Sequence, residues 1–388
     1  MKVRLACVDD LNEIMELYHL VSDMMEDSAY DIGWRKDVYP TKEIVLLDIE
    51  QQTLYVLEKN EKIIKIAEQL GYIPNPIAMA LQTRRTYQII FFCNDLTGAY
   101  YNQMYHGMAK TAKERGYHLL LQKDYDFESV KKILADGIIF PTENVAQDYA
   151  ETVGKNYRLP TVTISFDPSA IFAKPMPSVV IENQKIINAS IDYLIQKGHK
   201  KIGMLLPFDY GYANSRYKAW KERMKMESIF LGGGVETNYE HYIINCGKPE
   251  EENKKKDYRY LGPYQSESEG FVYYDLFKVG YEAANLYKSS KYKATALICF
   301  NDDLAQGFIA GLQAIGLRVP EDISVMGIDG IFTRNHFKPK LTTMSIYPER
   351  QGAKCVEVLI DMLEGKKYKY MNYSPYGILE GETVKDLK

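Results

Sequence analysis

The chain has 388 residues, of which 46% are hydrophobic and 26% charged, and carries a formal net charge of −4. That length suits two to three domains with sizeable cores and excludes a small disulfide-stapled scaffold, while the slightly acidic balance excludes a surface built throughout for nucleic acid or anionic membrane. The start MKVRLACVDD turns acidic at once, and no stretch approaches the ~18 uninterrupted apolar residues of a membrane span, so a cytoplasmic protein without membrane attachment is expected.

Charge is unevenly distributed. Residues 1–58 hold five basic residues against thirteen carboxylates, a local net of −8, whereas residues 59–85 hold five basic residues against two carboxylates. Two different surfaces therefore meet near residue 58. From residue 86 onward, short β-rich apolar runs alternate with amphipathic stretches, the pattern of a parallel sheet with crossover helices. The expected strands are Tyr87 to Cys93, His118 to Leu121, Gly137 to Phe140, Thr161 to Ser165, Ile202 to Leu206, Ala296 to Phe300 and Ile323 to Ile328. Tyr101, Met104, Tyr105, Met108 and Ala112 fall at helical spacing before Gly116, and Ile186, Ile187, Ser190, Ile191, Leu194 and Ile195 do the same before Gly198. Residues 246–270 are polar, unperiodic and punctuated by Gly and Pro, which reads as an exposed surface insertion. So many elements exceed one compact sheet, and two doubly wound lobes are expected, with ligand contacts beyond the carboxyl ends of strands.

Several motifs then carry a resemblance. KNEKIIKIAEQLGYIPNPIAMALQTRR before the strand YQIIFF, followed by ADGIIFP, LPTVTIS, YLIQKGHKKIGML, FNDDLAQGFIAGLQAIGLRVPEDISVMGID and KLTTMSI, resembles the LacI/GalR regulator family over about three quarters of the chain. The resemblance implies a two-lobed, periplasmic-binding-protein-like α/β sensor: lobe 1 over about 86–182 and 347–375, lobe 2 over about 183–346. Residues 59–85 then correspond to the last headpiece helix and the hinge helix. It also implies a homodimer, a small sugar or nucleoside-like effector, and operator DNA. Residues 1–58 depart from this pattern, since no helix-turn-helix sequence occurs there. VRLACVDDLNEIMELYHLV with GWRKDVYPTKE and LYVLEKNEKII instead resembles the opening of a GNAT acetyltransferase, without the Gly-rich loop that would cradle a cofactor pyrophosphate.

Carried over position by position, the resemblance implies effector contacts at Arg216, Asn301 and Asp329, with Asn94, Asp95, Tyr100 and Tyr101 at the cleft mouth and Ser165 where many relatives carry aspartate. Asn301 and Asp302 read equally as caps of the helix that follows, with Asp302 favoured as the cap. Asn75, Ala78, Leu81, Arg84 and Arg85 form the hinge DNA-contact set, in which Leu81 either wedges into a minor-groove step or packs between hinge helices. No enzyme constellation competes: the six histidines show no paired metal spacing, the five scattered cysteines contain no CxxC, and no GxSxG elbow occurs, so no catalytic residue, metal or cofactor is expected. Three readings stand: a dimeric, ligand-responsive transcription regulator; an effector-binding sensor without autonomous DNA binding; and an acetyltransferase-linked protein.

Overall fold

The structure is a computed structural model that describes residues 3–25, 40–57, 80, 83, 85–93, 96, 98–123, 127, 130, 133–153, 159–166, 175–207, 215–230, 238–246, 264–267, 270–273 and 275–388. The chain divides into two compact units, Met1–Met79 and Ala80–Lys388.

In the first unit, β1 (Val3–Leu5) pairs antiparallel with β2 (Tyr55–Leu57), so that Val3 lies opposite Leu57 and Leu5 opposite Tyr55. Between them run α1 (Leu11–Met25) and α2 (Lys42–Glu50). A two-stranded ribbon is marginal by itself, and this one depends on a small core in which Ala6, Leu11, Ile14, Val45 and Ile49 are buried. Polar staples set the turn into α1. Arg4 grips the Asp10 carboxylate through both terminal nitrogens, at 2.6 and 2.7 Å, and the Cys7 amide donates to the same carboxylate at 2.8 Å.

The second unit holds two six-stranded sheets. In chain order its strands are β3 (Gln88–Phe92), β4 (His118–Gln122), β5 (Gly137–Phe140), β6 (Thr161–Ser165), β7 (Ser178–Val180), β8 (Ile202–Leu206), β9 (Ile243–Asn245), β10 (Tyr264–Glu267), β11 (Gly270–Tyr273), β12 (Ala296–Cys299), β13 (Ser324–Asp329), β14 (Thr342–Ser345), β15 (Met371–Tyr373) and β16 (Gly377–Leu379). Its helices are α3 (Ala99–Glu114), α4 (Glu143–Val153), α5 (Asn183–Gln196), α6 (Ser215–Phe230), α7 (Leu276–Ser289), α8 (Asp302–Ala314) and α9 (Pro348–Leu363).

Lobe 1 has the all-parallel order β15-β7-β6-β5-β3-β4, and lobe 2 the order β16-β14-β13-β12-β8-β9, where only β16 runs antiparallel to its neighbour. Every residue of β5, β6, β8 and β12 is buried, as a sheet covered by helices on both faces requires. Each fully buried Ile, Leu or Phe in these strands stabilises the fold by about 1.5–3 kcal/mol. Close helix packing has its own requirement. A Cβ at Gly307 of α8 would collide with the backbone of Phe277 on α7, so glycine is what lets these helices touch.

The chain passes between lobes three times: from β7 to α5, from β14 to α9, and from β15 to β16. These crossings meet in hydrogen bonds. The Ile346 carbonyl accepts from the Gln351 side chain at 2.6 Å and from the Ser374 hydroxyl at 3.2 Å, and the Ser374 amide donates to the Val180 carbonyl at 2.8 Å. The expected strands all occur, with ends shifted by at most one residue. The segment read as an unpatterned insertion is corrected in part, because Tyr264–Glu267 pairs antiparallel with Gly270–Tyr273. Tyr, Phe and Val in those strands supply β propensity that the surrounding charges obscured.

Candidate functional site

The carboxyl ends of the strands of both lobes line the space between them, and the polar residues gathered there come from distant parts of the chain. Arg216 stands in the first turn of α6, Asp329 ends β13, and Asn301 and Phe300 follow β12. The Arg216 Nη2 lies 3.2 Å from Asp329 Oδ1, and both side chains are less than 10% exposed. Arg216 Nε donates to Asn183 Oδ1 at 3.1 Å, its Nη1 donates to the Phe300 carbonyl, and its guanidinium carbon sits 5.1 Å from the centre of the Phe300 ring. A buried cation is held in place by three acceptors and a ring face, the arrangement that compensates for its lost hydration.

Asp329 itself is strained. Its φ of +130° is a conformation that non-glycine residues rarely adopt, and it costs about 1–3 kcal/mol. Asp302 holds the backbone there. Its Oδ2 accepts the amides of Gly330 and Ile331 at 2.8 and 2.9 Å, while its Oδ1 accepts the Thr343 hydroxyl at 2.5 Å. Gly330, at φ +76°, has no room for a Cβ beside Ser345. Burial pushes the Asp329 carboxyl above the usual carboxylate range; the Arg216 guanidinium opposes that, and Asp302 and Asp303 reinforce it. Burial likewise raises Asp302, to about 6, against its three hydrogen bonds.

The helix cap favoured for Asp302 falls to Asn301 instead. Asn301 has extended backbone, and its Oδ1 accepts the Leu304 amide at 2.9 Å, which turns that oxygen toward the helix. On the lobe 1 side, Tyr100 donates from its hydroxyl to Gln351 Oε1 at 2.7 Å and packs edge-on against Tyr101, with ring centres 5.0 Å apart. Burial raises the Tyr100 hydroxyl far above its usual value; Tyr101 and Asp329 push the same way and Arg216 opposes them. Ser165 ends β6 and is buried.

The two lobes are tied on both flanks of this region. Gln103 of α3 accepts the Phe332 amide at 2.8 Å, and the Phe166 carbonyl accepts from the Asn183 side-chain amide at 3.2 Å and from the Ser215 hydroxyl at 3.4 Å. Thus Arg216, Asp329 and Tyr100 converge, and Asn301 follows the Phe300 whose carbonyl Arg216 bonds. Asn94 and Asp95, and the hinge positions Asn75, Ala78, Leu81 and Arg84, lie outside the described residues. Arg85 is described; its guanidinium donates to the Tyr117 hydroxyl at 2.8 Å and to the Leu363 carbonyl. Sequence reasoning missed Asn183, Gln351 and Gln103. Their signal is a lone polar residue within an otherwise apolar helical face, which many structural roles share.

Comparison with known proteins places this arrangement among similar folds. Residues 86–226 match the model described as periplasmic binding proteins and sugar binding domain of LacI family, and residues 243–384 match that of the periplasmic binding protein-like domain. These matches make the second unit a periplasmic-binding-protein-like fold similar to that of LacI-family regulators. The chain is 25% identical over 350 residues to the HTH-type transcriptional repressor PurR of Photobacterium profundum, covering 87% of this chain and 93% of that one. It is 27% identical over 341 residues to the HTH-type transcriptional regulator RegA of Clostridium saccharobutylicum, covering 84% and 89%. Among solved structures, its fold is similar to a LacI family transcriptional regulator from Enterococcus faecium with bound ribose, with a TM-score of 0.60, 18% identity, and coverage of 78% of this chain and 100% of that one. CcpA of Lactococcus lactis gives 0.58, 15% identity, 77% and 99%. Within the LacI-family frame, the two-lobed fold expected from sequence is the fold found, and no helix among the described residues is long and apolar enough to cross a membrane.

Proposed function

We propose that this regulator is a cytoplasmic homodimer whose lobes close on an uncharged sugar or nucleoside-like effector at Arg216, Asp329, Asn301 and Tyr100, with Asn94, Asp95, Tyr101 and Ser165 completing the site. The observation that carries this reading is the buried Arg216–Asp329 pair at strand carboxyl ends between two lobes. Its donors and acceptors alternate as hydroxyl recognition requires, and Tyr100 and Tyr101 offer ring faces to apolar sugar surfaces. The related regulator from Enterococcus faecium was solved with ribose and one from Weissella paramesenteroides with sucrose, which supports the sugar class. Effector binding changes the regulator only through unequal affinity for its open and closed forms.

Operator contact in this reading passes through the hinge, residues 75–85, with Leu81 at the DNA. A second reading, an effector sensor without autonomous DNA binding, is favoured by one feature: residues 1–58 carry −8 where a recognition helix needs at least neutrality. Their order of strand, two helices and strand supports the resemblance to an acetyltransferase opening, and this reading gives those residues no catalytic role. The test is thermal unfolding of the full chain against pentoses, hexoses, disaccharides and nucleosides. An effector at 100 times its Kd stabilises by about 2.7 kcal/mol, and the R216M variant should lose the shift. A shift that survives R216M would place the site elsewhere.

A further inference from the structure

The first crossing between the lobes leads into Asn183, the opening residue of α5, whose side chain is buried. An asparagine at a helix start commonly serves the helix itself. Here α5 is left without a side-chain cap, and the Asn183 carboxamide bonds across the molecule instead. Its Oδ1 accepts the Arg216 Nε–H at 3.1 Å. Its Nδ2 donates to the Phe166 carbonyl at 3.2 Å and to the Ser215 hydroxyl oxygen at 2.8 Å, and that hydroxyl donates to the same Phe166 carbonyl at 3.4 Å. Phe166, directly after β6 in lobe 1, is fixed in turn, because its amide donates to the carboxylate of Glu143 at the start of α4 at 3.0 Å.

The chemistry of this position is narrow. It needs an acceptor for a guanidinium N–H and donors for two oxygens. A carboxylate has no donor and a hydroxyl has a single proton, whereas a carboxamide carries one acceptor and two donors in one plane. The nitrogen it holds also matters. A guanidinium is rigid and planar, so fixing Nε sets the plane that aims Nη1 at the Phe300 carbonyl and Nη2 at Asp329.

We propose that Asn183 is a positioning residue for Arg216, one that sets the guanidinium plane and ties it to the approach of lobe 1 through the Phe166 carbonyl. The inference rests on the reading in which Arg216 and Asp329 meet the effector, and it adds how that site registers closure. Ser215 and Arg216 belong to lobe 2 and Phe166 to lobe 1. When lobe 1 withdraws, the carboxamide loses the partner that fixes its rotation, and the plane of Arg216 is released with it.

The test uses the full-length protein carrying isotopically labelled arginine. Without any sugar, the Arg216 Nε–H signal, identified by its absence from R216M, should exchange with solvent about tenfold faster in N183A than in the parent. N183D should restore the parent rate, since its carboxylate still accepts from Nε. Having no donor for Phe166, N183D should nevertheless show a larger radius of gyration in solution scattering. Unchanged exchange in N183A overturns the positioning role, and an unchanged radius in N183D overturns the tie to lobe 1. The parent decides even if a variant fails to fold: an Arg216 signal that exchanges as fast as that of exposed Arg350 overturns the proposal. D-ribose and sucrose are then titrated into the parent. A melting temperature that neither they nor any other sugar or nucleoside shifts sinks the effector reading separately, because the exchange and scattering measurements contain no sugar.

Discussion

Gln103 of lobe 1 accepts a hydrogen bond at 2.8 Å from the backbone amide of Phe332, a residue 229 positions away in lobe 2. The bond joins the lobes on one flank of the proposed effector site, while Phe166, Asn183 and Ser215 join them on the other. Because the donor is backbone, only the Gln103 side chain can be removed. Q103A should weaken effector binding about fivefold, the equivalent of roughly 1 kcal/mol for one lost hydrogen bond, with little change in melting temperature. F332A keeps the amide and should bind as the parent does. Titration calorimetry on both variants checks this, and equal affinities would remove the latch from the account.

The Arg216–Asp329 pair makes a sharper prediction. R216M leaves a buried carboxylate without its cation, a change that costs about 3–5 kcal/mol in comparable pairs. R216M/D329L removes both charges and should recover most of that stability while binding no effector. Urea unfolding of the two variants distinguishes the pair as a functional expense from the pair as a structural necessity. A double variant no more stable than R216M would favour the latter.

Much of this fold was legible because its strands are almost wholly apolar. GIIF, IGMLL and ALIC admit little except buried parallel strands. TTMS of β14 and MNY of β15 carry no such pattern. The first is held by β13 and β16 and the second by β7, so their strand character comes from partners and not from composition. The site was legible only in part for a related reason. NDD before an apolar helix announces a cap, but which side chain caps depends on backbone geometry. Asn301 is extended and takes the role, which frees Asp302 to hold the loop that aims Asp329.

That division of labour predicts a pH dependence. Burial raises Asp302 from 3.8 to about 6 in the folded state, so between those values the folded chain holds a proton that the unfolded chain has released. Stability from this group is therefore complete below pH 3.8 and declines as pH rises through about 6. D302N cannot titrate. The difference in unfolding free energy between the parent and D302N should narrow as pH is raised from 4.5 to 7.5, by at most about 1.4 kcal/mol per pH unit. A difference that widens over the same range would reverse the assignment.

Gln351 links Tyr100 to the crossings between the lobes. Its Oε1 accepts the Tyr100 hydroxyl, and its Nε2 donates to the Ile346 carbonyl in the second crossing, where the Ser374 hydroxyl of the third crossing also donates. An effector that packs on Tyr100 therefore presses on a side chain bonded to the backbone between the lobes. Y100F deletes one hydroxyl and leaves Gln351 Oε1 short of a donor, at a cost of about 1–3 kcal/mol of stability, yet it keeps the ring. If the ring carries affinity and the hydroxyl carries the message to the crossings, Y100F should bind effector within about twofold of the parent, well under the 1.4 kcal/mol of a tenfold change. The effector-induced decrease in radius of gyration measured by small-angle scattering should nevertheless shrink. Q351L should shrink it further, because both bonds are lost. Full compaction in Q351L would mean that the lobes close without this junction, and that Gln351 only fills space beside Ile346.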